Sequence, residues 1–442
     1  MTEDLVEDVA DVMAEAEEEG HSFLPRPALE AEVGRRLSRL EVRQLRDRGF
    51  ATGPGGELYR LTTWQQEQAL AAGLRTLATA GRLAVITGGP GTGKTTQIRE
   101  MIQSAPHVTL CAPSGKAARR LAEATGHDAV TVHMTLYRAE NQQRRLGGLV
   151  VVDEASMLSL EVAAWLVGAL DPGARLVLVG DVDQLAAVGP GQVLRDIIAA
   201  NVCKVTRLTR LWRAAADSPL ARQARLLRGG HMLDLQPAEG WRFVAAAEGN
   251  IVEAAVQQAL AAGPAVQVLA PTRRVARTIN ARLQAAWNPR AAGKGEVLVD
   301  REIVRAGDLV VINRNDYSRN VRNGEVGKVL DAGPGGVTVE VEGWPIFWPA
   351  EELPAAADQH GRPALSLAYC MTVAKSQGSE FDHVIIALPA TRANSVNLVY
   401  TALTRARQSC TLVSSEPVVA EAVHTRQRRF SRLATLLRAG AA

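Results

Sequence analysis

The octapeptide Gly88-Gly89-Pro90-Gly91-Thr92-Gly93-Lys94-Thr95 has the residue types and spacing of a phosphate-binding loop, G-x-x-x-x-G-K-[ST]. Glycines allow successive backbone N–H groups to turn inward around phosphate oxygens, and a following helix adds the positive end of its dipole. Lys94 is placed to put a point charge on the β- and γ-phosphates, and Thr95 offers a hydroxyl to Mg²⁺. Further on, Leu149-Val150-Val151-Val152 runs straight into Asp153-Glu154. Two carboxylates at the end of a buried strand, downstream of such a loop, suit a metal ligand and a base that orients water. Asp153 is assigned the Mg²⁺ and Glu154 the water. A third apolar strand ends at Gly180-Asp181-Val182-Asp183-Gln184, which places Gln184 to sense a γ-phosphate.

These residues need strands and helices to hold them. Leu83-Ala84-Val85-Ile86-Thr87 reads as the strand before the loop and Gln97-Ile98-Arg99-Glu100 as the helix after it. Val108–Ala112, Leu149–Val152, Leu176–Val179 and Lys204–Leu208 are further strands, several of them continuous apolar runs as in buried parallel sheets. Alternation of such runs with helical segments predicts an α/β, doubly wound domain over 61–263. A second α/β set follows over 264–442, with strands at Val266–Ala270, His383–Leu388 and Cys410–Val413. A β-rich insert, about 300–360, contains Asp308–Asn313, Gly324–Leu330 and Val337–Val341 between Asn and Gly turns, and is expected to be a small β-barrel. Residues 1–60 read as short helices and a hairpin around Gly53-Pro54-Gly55-Gly56, a winged-helix-like module.

Composition narrows the class. A chain of 442 residues with 47% hydrophobic residues has enough apolar content for two or more cores. Aromatics make up only 4%, so those cores rest on Ala, Leu and Val. The net charge of +3 is unevenly spread: residues 1–20 carry no Lys or Arg, which leaves the remainder basic, and Arg426-Gln427-Arg428-Arg429 adds to it. A basic body suits a polyanion, and the acidic start reads as a solvated helix face. Cys111, Cys203, Cys370 and Cys410 form no C-x-x-C pair, so zinc, iron–sulfur and disulfide chemistry are not expected. No leader-like or membrane-spanning run is present, so the expected location is the cytoplasm.

Taken together, the segments from Leu61 to Arg407 resemble the RecD-like DNA helicases of superfamily 1. The resemblance implies two RecA-like motor domains, ATP and Mg²⁺ as cofactors, and single-stranded or tailed duplex DNA as a partner bound without sequence preference. It implies movement 5′ to 3′. Leu61-Thr62-Thr63-Trp64-Gln65 is similar to the adenine-reading segment, with Gln65 as reader; the nucleotide set is then Gln65 with Gly88, Gly89, Pro90, Gly91, Thr92, Gly93, Lys94, Thr95 and Thr96. Leu208-Thr209-Arg210-Leu211-Trp212-Arg213 and Tyr400-Thr401-Ala402-Leu403-Thr404-Arg405 are similar to the segments whose arginines reach the γ-phosphate, so Arg213 and Arg405 are the candidates. Such an arginine is worth roughly 10³–10⁵ in rate in related systems. An arginine supplied from a second domain would couple nucleotide binding to domain closure, and closure to stepping.

The matching DNA positions are Pro113, Ser114 and Lys116, then Thr131 and His133, then Thr272 and Arg273, then Thr372 and Lys375. Asn315 and Tyr317 lie in the barrel-like insert. Hydroxyls, amides and cations at strand ends suit phosphate contacts. Four positions depart from the pattern. Ala374 stands where motif V usually has His, Ala186 and Ala187 where the segment after Gln184 usually has proline, and Ala214 where Gln usually follows the arginine. They bear on coupling rather than hydrolysis. The stretch 137–148, where related enzymes carry a duplex-splitting pin, is short and polar, so unwinding is expected to be weaker than translocation. A scaffold subunit with a weakened motor, and the helicase part of a conjugative relaxase, are the alternatives. No nuclease carboxylate cluster or nicking Tyr with a His cluster is seen. The working expectation for oligomeric state is a monomer, which nothing in the sequence fixes.

Overall fold

The computed structural model describes residues 3–210, 218–316, 318–357 and 361–439. Arg213, Ala214 and Tyr317 therefore lie outside the described residues. The chain divides into two compact units: Met1–Pro113, Ala118–Trp212 and Arg428–Ala442 in the first, Ser114–Ala117 and Arg213–Gln427 in the second.

The first unit opens with α1 (Glu3–Glu18), α2 (Arg26–Glu32) and α3 (Arg39–Leu45), followed by a hairpin of β1 (Phe50–Thr52) and β2 (Leu58–Arg60). The acidic face of α1 has an apolar back. Leu5, Val9, Met13 and Ala16, at helical spacing, pack with Leu24, Leu29, Leu37, Leu45, Phe50 and Leu58 into a small core. Then come α4 (Leu61–Thr79), β3 (Leu83–Gly88), α5 (Lys94–Gln103), β4 (Val108–Ala112), α6 (Gly115–Thr125), β5 (Ala129–Thr131), α7 (Val132–Asn141), β6 (Leu149–Val152), α8 (Leu160–Ala169), β7 (Arg175–Gly180), α9 (Val193–Ala200) and β8 (Lys204–Leu208). The six strands β3–β8 form one parallel sheet in the order β5-β4-β6-β7-β3-β8. Val150, Val151 and Val152 of β6 have no solvent exposure, which is why this strand reads as an unbroken apolar run.

The stretch 137–148 forms no hairpin among the described residues. It finishes α7 and then links to β6, pinned by the buried Leu146 and by Arg145, whose Nη1 donates to the Leu170 carbonyl at 3.0 Å.

The second unit contains α10 (Pro219–Arg228), β9 (Trp241–Ala245), α11 (Ile251–Ala262), β10 (Gln267–Ala270) and α12 (Arg273–Trp287), then an antiparallel insert. The insert comprises a ribbon, β11 (Glu296–Val299) with β12 (Glu302–Arg305), and five strands: β13 (Leu309–Ile312), β14 (Val326–Gly333), β15 (Gly336–Val341), β16 (Trp344–Pro349) and β17 (Leu365–Leu367). Their order is β16-β15-β14-β13-β17. Proline at the second and last positions of β16 masks it in the sequence, and both are tolerated because β16 is at the sheet edge. The main sheet resumes with β18 (Cys370–Thr372), β19 (Phe381–Ala387), α13 (Val396–Leu403), β20 (Ala406–Ser414) and α14 (Glu416–His424). It is parallel, in the order β18-β10-β19-β20-β9.

The sequence divides the two α/β domains at 263/264, whereas the two compact units divide before α10. The reason is β9, which pairs with β20 along Cys410↔Trp241 to Ser414↔Ala245 and so belongs to the second sheet. The chain ends on α15 (Leu433–Arg438), which packs in the first unit with Leu433 and Leu437 fully buried among residues of α4 and α9. Within the basic run Arg426-Gln427-Arg428-Arg429, Arg429 turns inward onto the carbonyls of Ala187, Gly189 and Gly191.

Candidate nucleotide site and nucleic-acid surface

The P-loop leaves β3 at Gly88 and enters α5 at Lys94. Gly91 (φ 74°) and Gly93 (φ 92°) are left-handed, a conformation only glycine adopts at little cost. At Gly88 a side chain would collide with Thr92 Oγ1 (2.6 Å) and the Leu208 carbonyl (2.7 Å). Thr92 Oγ1 donates to the Gly89 carbonyl at 2.8 Å and closes the loop. Lys94 Nζ donates to the carbonyls of Gly88 (2.7 Å) and Gly89 (3.0 Å). Its charge is held over its own loop by dipoles that a phosphate would replace.

Asp153 and Glu154 follow β6, and Gln184 follows β7, the strand between β6 and β3. All three therefore gather at the carboxyl edge of the sheet that carries the P-loop. The one-strand gap between Lys94 and the carboxylates is filled by the strand that brings Gln184. Burial, then the adjacent Glu154, raises the Asp153 carboxyl to about 6, with Lys94 and Arg120 acting in the opposite sense. Glu154 adopts φ 50°, a left-handed conformation unusual for a residue with a side chain and concentrated at functional positions. Its Oε2 is buried without a hydrogen-bond partner among the described residues, as is Oε1 of Gln184. Buried acceptors are rarely left unmet, so a pair on adjacent strand ends fits a site built for a ligand with its metal and water. Ser156 Oγ, also buried and unpartnered, lies one turn beyond and was not singled out from sequence. Thr95 and Thr96 sit in the first turn of α5.

Gln65 stands exposed in α4 and makes no hydrogen bond to the P-loop among the described residues. Glu67, two residues later and unremarked in the sequence, is fully buried. Arg405 is buried in the second unit, where its guanidinium donates to the carbonyls of Thr401 (3.1 Å) and Ser379 (3.0 Å) and to Thr404 Oγ1 (3.1 Å).

The candidate DNA residues are in large part helix caps. Thr131 Oγ1 accepts from Met134 N (3.1 Å) at the start of α7, and Thr272 Oγ1 from Val275 N (3.3 Å) at the start of α12. Ser114 Oγ accepts from Ala117 N at 3.2 Å, after Pro113. Lys116 lies over the Phe381 ring at 5.8 Å. His133 is exposed, edge-on to Trp165 at 6.4 Å. In the second sheet Ala270 and Thr372 are register partners on adjacent parallel strands, so Thr272, Arg273, Thr372 and Lys375 share one carboxyl edge. Thr372 Oγ1 accepts from Lys375 N at 3.3 Å. Burial, then the charges of Arg273 and Arg362, lowers the Lys375 ammonium to about 7. Lys375 Nζ donates to Asn313, a residue sequence reasoning missed beside the predicted Asn315. Asn315 itself is exposed, its Oδ1 accepting from Asn323 N at 2.9 Å. The charges of Arg273 and Arg362 both act on Lys375.

Known proteins place this arrangement. Residues 63–248 match a family model described as an AAA domain, and residues 367–413 match the UvrD-like helicase C-terminal domain. The ATP-dependent RecD2 DNA helicase of Deinococcus radiodurans is 37% identical over 352 residues, covering 74% of this chain and 46% of the relative. The chain thus spans just under half the length of that relative. A chain from a structure of two coordinating Pif1 helicases at forked double-stranded DNA superposes with a TM-score of 0.50 at 18% identity, over 78% of this chain and 91% of that one, and supports the fold. The RecBCD enzyme subunit RecD of Mycobacterium tuberculosis is 32% identical over 420 residues, covering 81% of this chain and 71% of the relative. The chain belongs to the RecD family.

Proposed function

We propose that this RecD-family chain is an ATP-driven motor that moves 5′ to 3′ along single-stranded DNA and separates tailed duplexes. The observation that carries the reading is the pair of unmet buried acceptors, Glu154 Oε2 and Gln184 Oε1, beside a P-loop whose lysine rests on its own carbonyls. A water placed between them has one O–H for each. Its oxygen attacks the γ-phosphorus, the bond to the departing ADP oxygen breaks, and Glu154 takes the proton. Lys94 moves from the loop carbonyls to the phosphates. Mg²⁺, held by Thr95 and Asp153, would neutralise charge on the phosphate oxygens. Gln65 is assigned the adenine, and Arg405, with Arg213, the γ-phosphate once nucleotide is bound.

On the DNA side, Pro113, Ser114, Lys116, Thr131, His133, Thr272, Arg273, Asn315, Tyr317, Thr372 and Lys375 are assigned to the phosphodiester backbone. The antiparallel insert is read as a small barrel and the N-terminal helices and hairpin as a winged-helix-like module. The name of the Deinococcus relative, an ATP-dependent DNA helicase, points the same way. The short link at 142–148 predicts weak strand separation by an otherwise competent translocase. Unwinding of 5′-tailed and 3′-tailed duplexes tests polarity. Activity confined to the 5′ tail is expected, and separation of the 3′-tailed substrate alone would overturn the direction.

A further inference from the structure

The loop after Gln184 has alanine at 186 and 187 and a single proline, Pro190, and it is held from another part of the chain. Carbonyls of Ala187, Gly189 and Gly191 converge on Arg429, near the C-terminus. Arg429 Nη2 donates to Ala187 O at 2.7 Å, and Nη1 to Gly189 O at 3.0 Å and Gly191 O at 2.7 Å. Alternate carbonyls face one cation because Gly189 (φ 92°) and Gly191 (φ 87°) are both left-handed. Three carbonyls accept from the Arg429 guanidinium, and the charge of Asp196 also favours its protonated form. Burial lowers its pKa only to about 10, so it is charged at neutral pH.

The seat of the guanidinium is equally specific. Gly20 (φ 95°) leaves its space to Arg429, since a Cβ there would fall on the guanidinium carbon. Gly20 also ties to the loop directly, its carbonyl accepting from Gly191 N at 2.9 Å. Around it, Ser22 N donates to the Phe430 carbonyl (2.7 Å), Phe430 N donates to His21 Nδ1 (2.9 Å), and the two rings stack at 4.8 Å. Two remote segments, residues 20–22 and 429–430, meet at this loop, all within the first unit.

We propose that Arg429, seated against Gly20, is a positioning residue that fixes the 185–191 loop and through it the γ-phosphate sensor Gln184. The clamp bonds backbone carbonyls of the loop and leaves the Gln184 amide oxygen without a partner among the described residues. ATP affinity rests on the P-loop, which the clamp does not touch. Its loss therefore lowers turnover and not nucleotide binding. The inference rests on the proposed role of Gln184.

The test uses the full chain with Arg429→Met, Arg429→Lys and Gly20→Ala, measuring ATPase with and without single-stranded DNA. Rates are normalised to the fraction that binds a fluorescent ATP analogue. Arg429→Met is expected to lower kcat about tenfold with KM for ATP within about twofold, Arg429→Lys to recover part of the loss, and Gly20→Ala to reproduce it with the arginine retained. Amide exchange over 185–191 should quicken in the Met and Ala variants. Unchanged kcat per binding-competent molecule, or unchanged exchange in the loop, would overturn the inference. Wild-type ATPase that survives Lys94→Ala would sink the motor reading instead, and the exchange measurement would still decide the clamp.

Discussion

At the scale of single residues, the chemistry concentrates in side chains whose partners are missing or displaced. Glu154 is held at φ 50° with one carboxylate oxygen unmet, while Lys94 is parked on Gly88 and Gly89. Glu154→Gln keeps shape and removes the proposed base. It should lower kcat by about 10²–10⁴ while leaving KM for ATP nearly unchanged in steady-state assays. Lys375 makes a second prediction. Its ammonium titrates near 7 because burial, Arg273 and Arg362 all oppose the charge. Only the protonated form attracts phosphate, so single-strand affinity should fall as pH rises through about 7 and 8 in fluorescence anisotropy titrations. Lys375→Met should flatten that dependence. The P-loop residues, Asp153, Glu154 and Gln184 were legible because each follows an apolar strand in the sequence. Glu67, Asn313 and Arg429 were not, because their partners lie far along the chain and no local pattern announces them.

Among the elements, the parallel strands were legible wherever the run was continuous, as in Leu149–Val152. β9 was not: Trp241–Ala245 includes an exposed arginine, and only its pairing with β20 makes it part of the second sheet. The C-terminal segment was invisible for a similar reason, since α15 has six residues and gains its stability by packing on α4 and α9. Its junction is chemically unusual. Ser431 Oγ lies 3.0 Å from Glu67 Oε1 and 2.7 Å from Asp196 Oδ2. One hydroxyl has one proton to give, so the second contact calls for a protonated carboxyl. Burial raises Glu67, and burial raises Asp196 to about 6, with the charge of Glu67 adding to it. A carboxyl whose native pKa is raised stabilises the fold at low pH, and that contribution is lost as pH climbs from about 4 to about 6. Urea unfolding should show stability falling by about 1–3 kcal/mol across that window, and Asp196→Asn should remove much of the slope.

For the molecule as a whole, each unit carries candidate residues at the carboxyl edge of a parallel sheet: the P-loop, Asp153, Glu154 and Gln184 in the first, and Thr272, Arg273, Thr372 and Lys375 in the second. Gly88–Thr95 alone argues only for a nucleotide. Lys375 and Arg273 on the second sheet, together with membership of the RecD family, support the proposal that this nucleotide drives work on DNA. The central claim is thus that ATP turnover in the first unit answers to DNA held by the chain. The most direct measurement is the ATPase rate of the wild-type chain with and without single-stranded DNA, alongside Lys94→Ala. The account predicts a rate that rises several-fold or more with single-stranded DNA and is abolished by Lys94→Ala. A rate indifferent to DNA would contradict it.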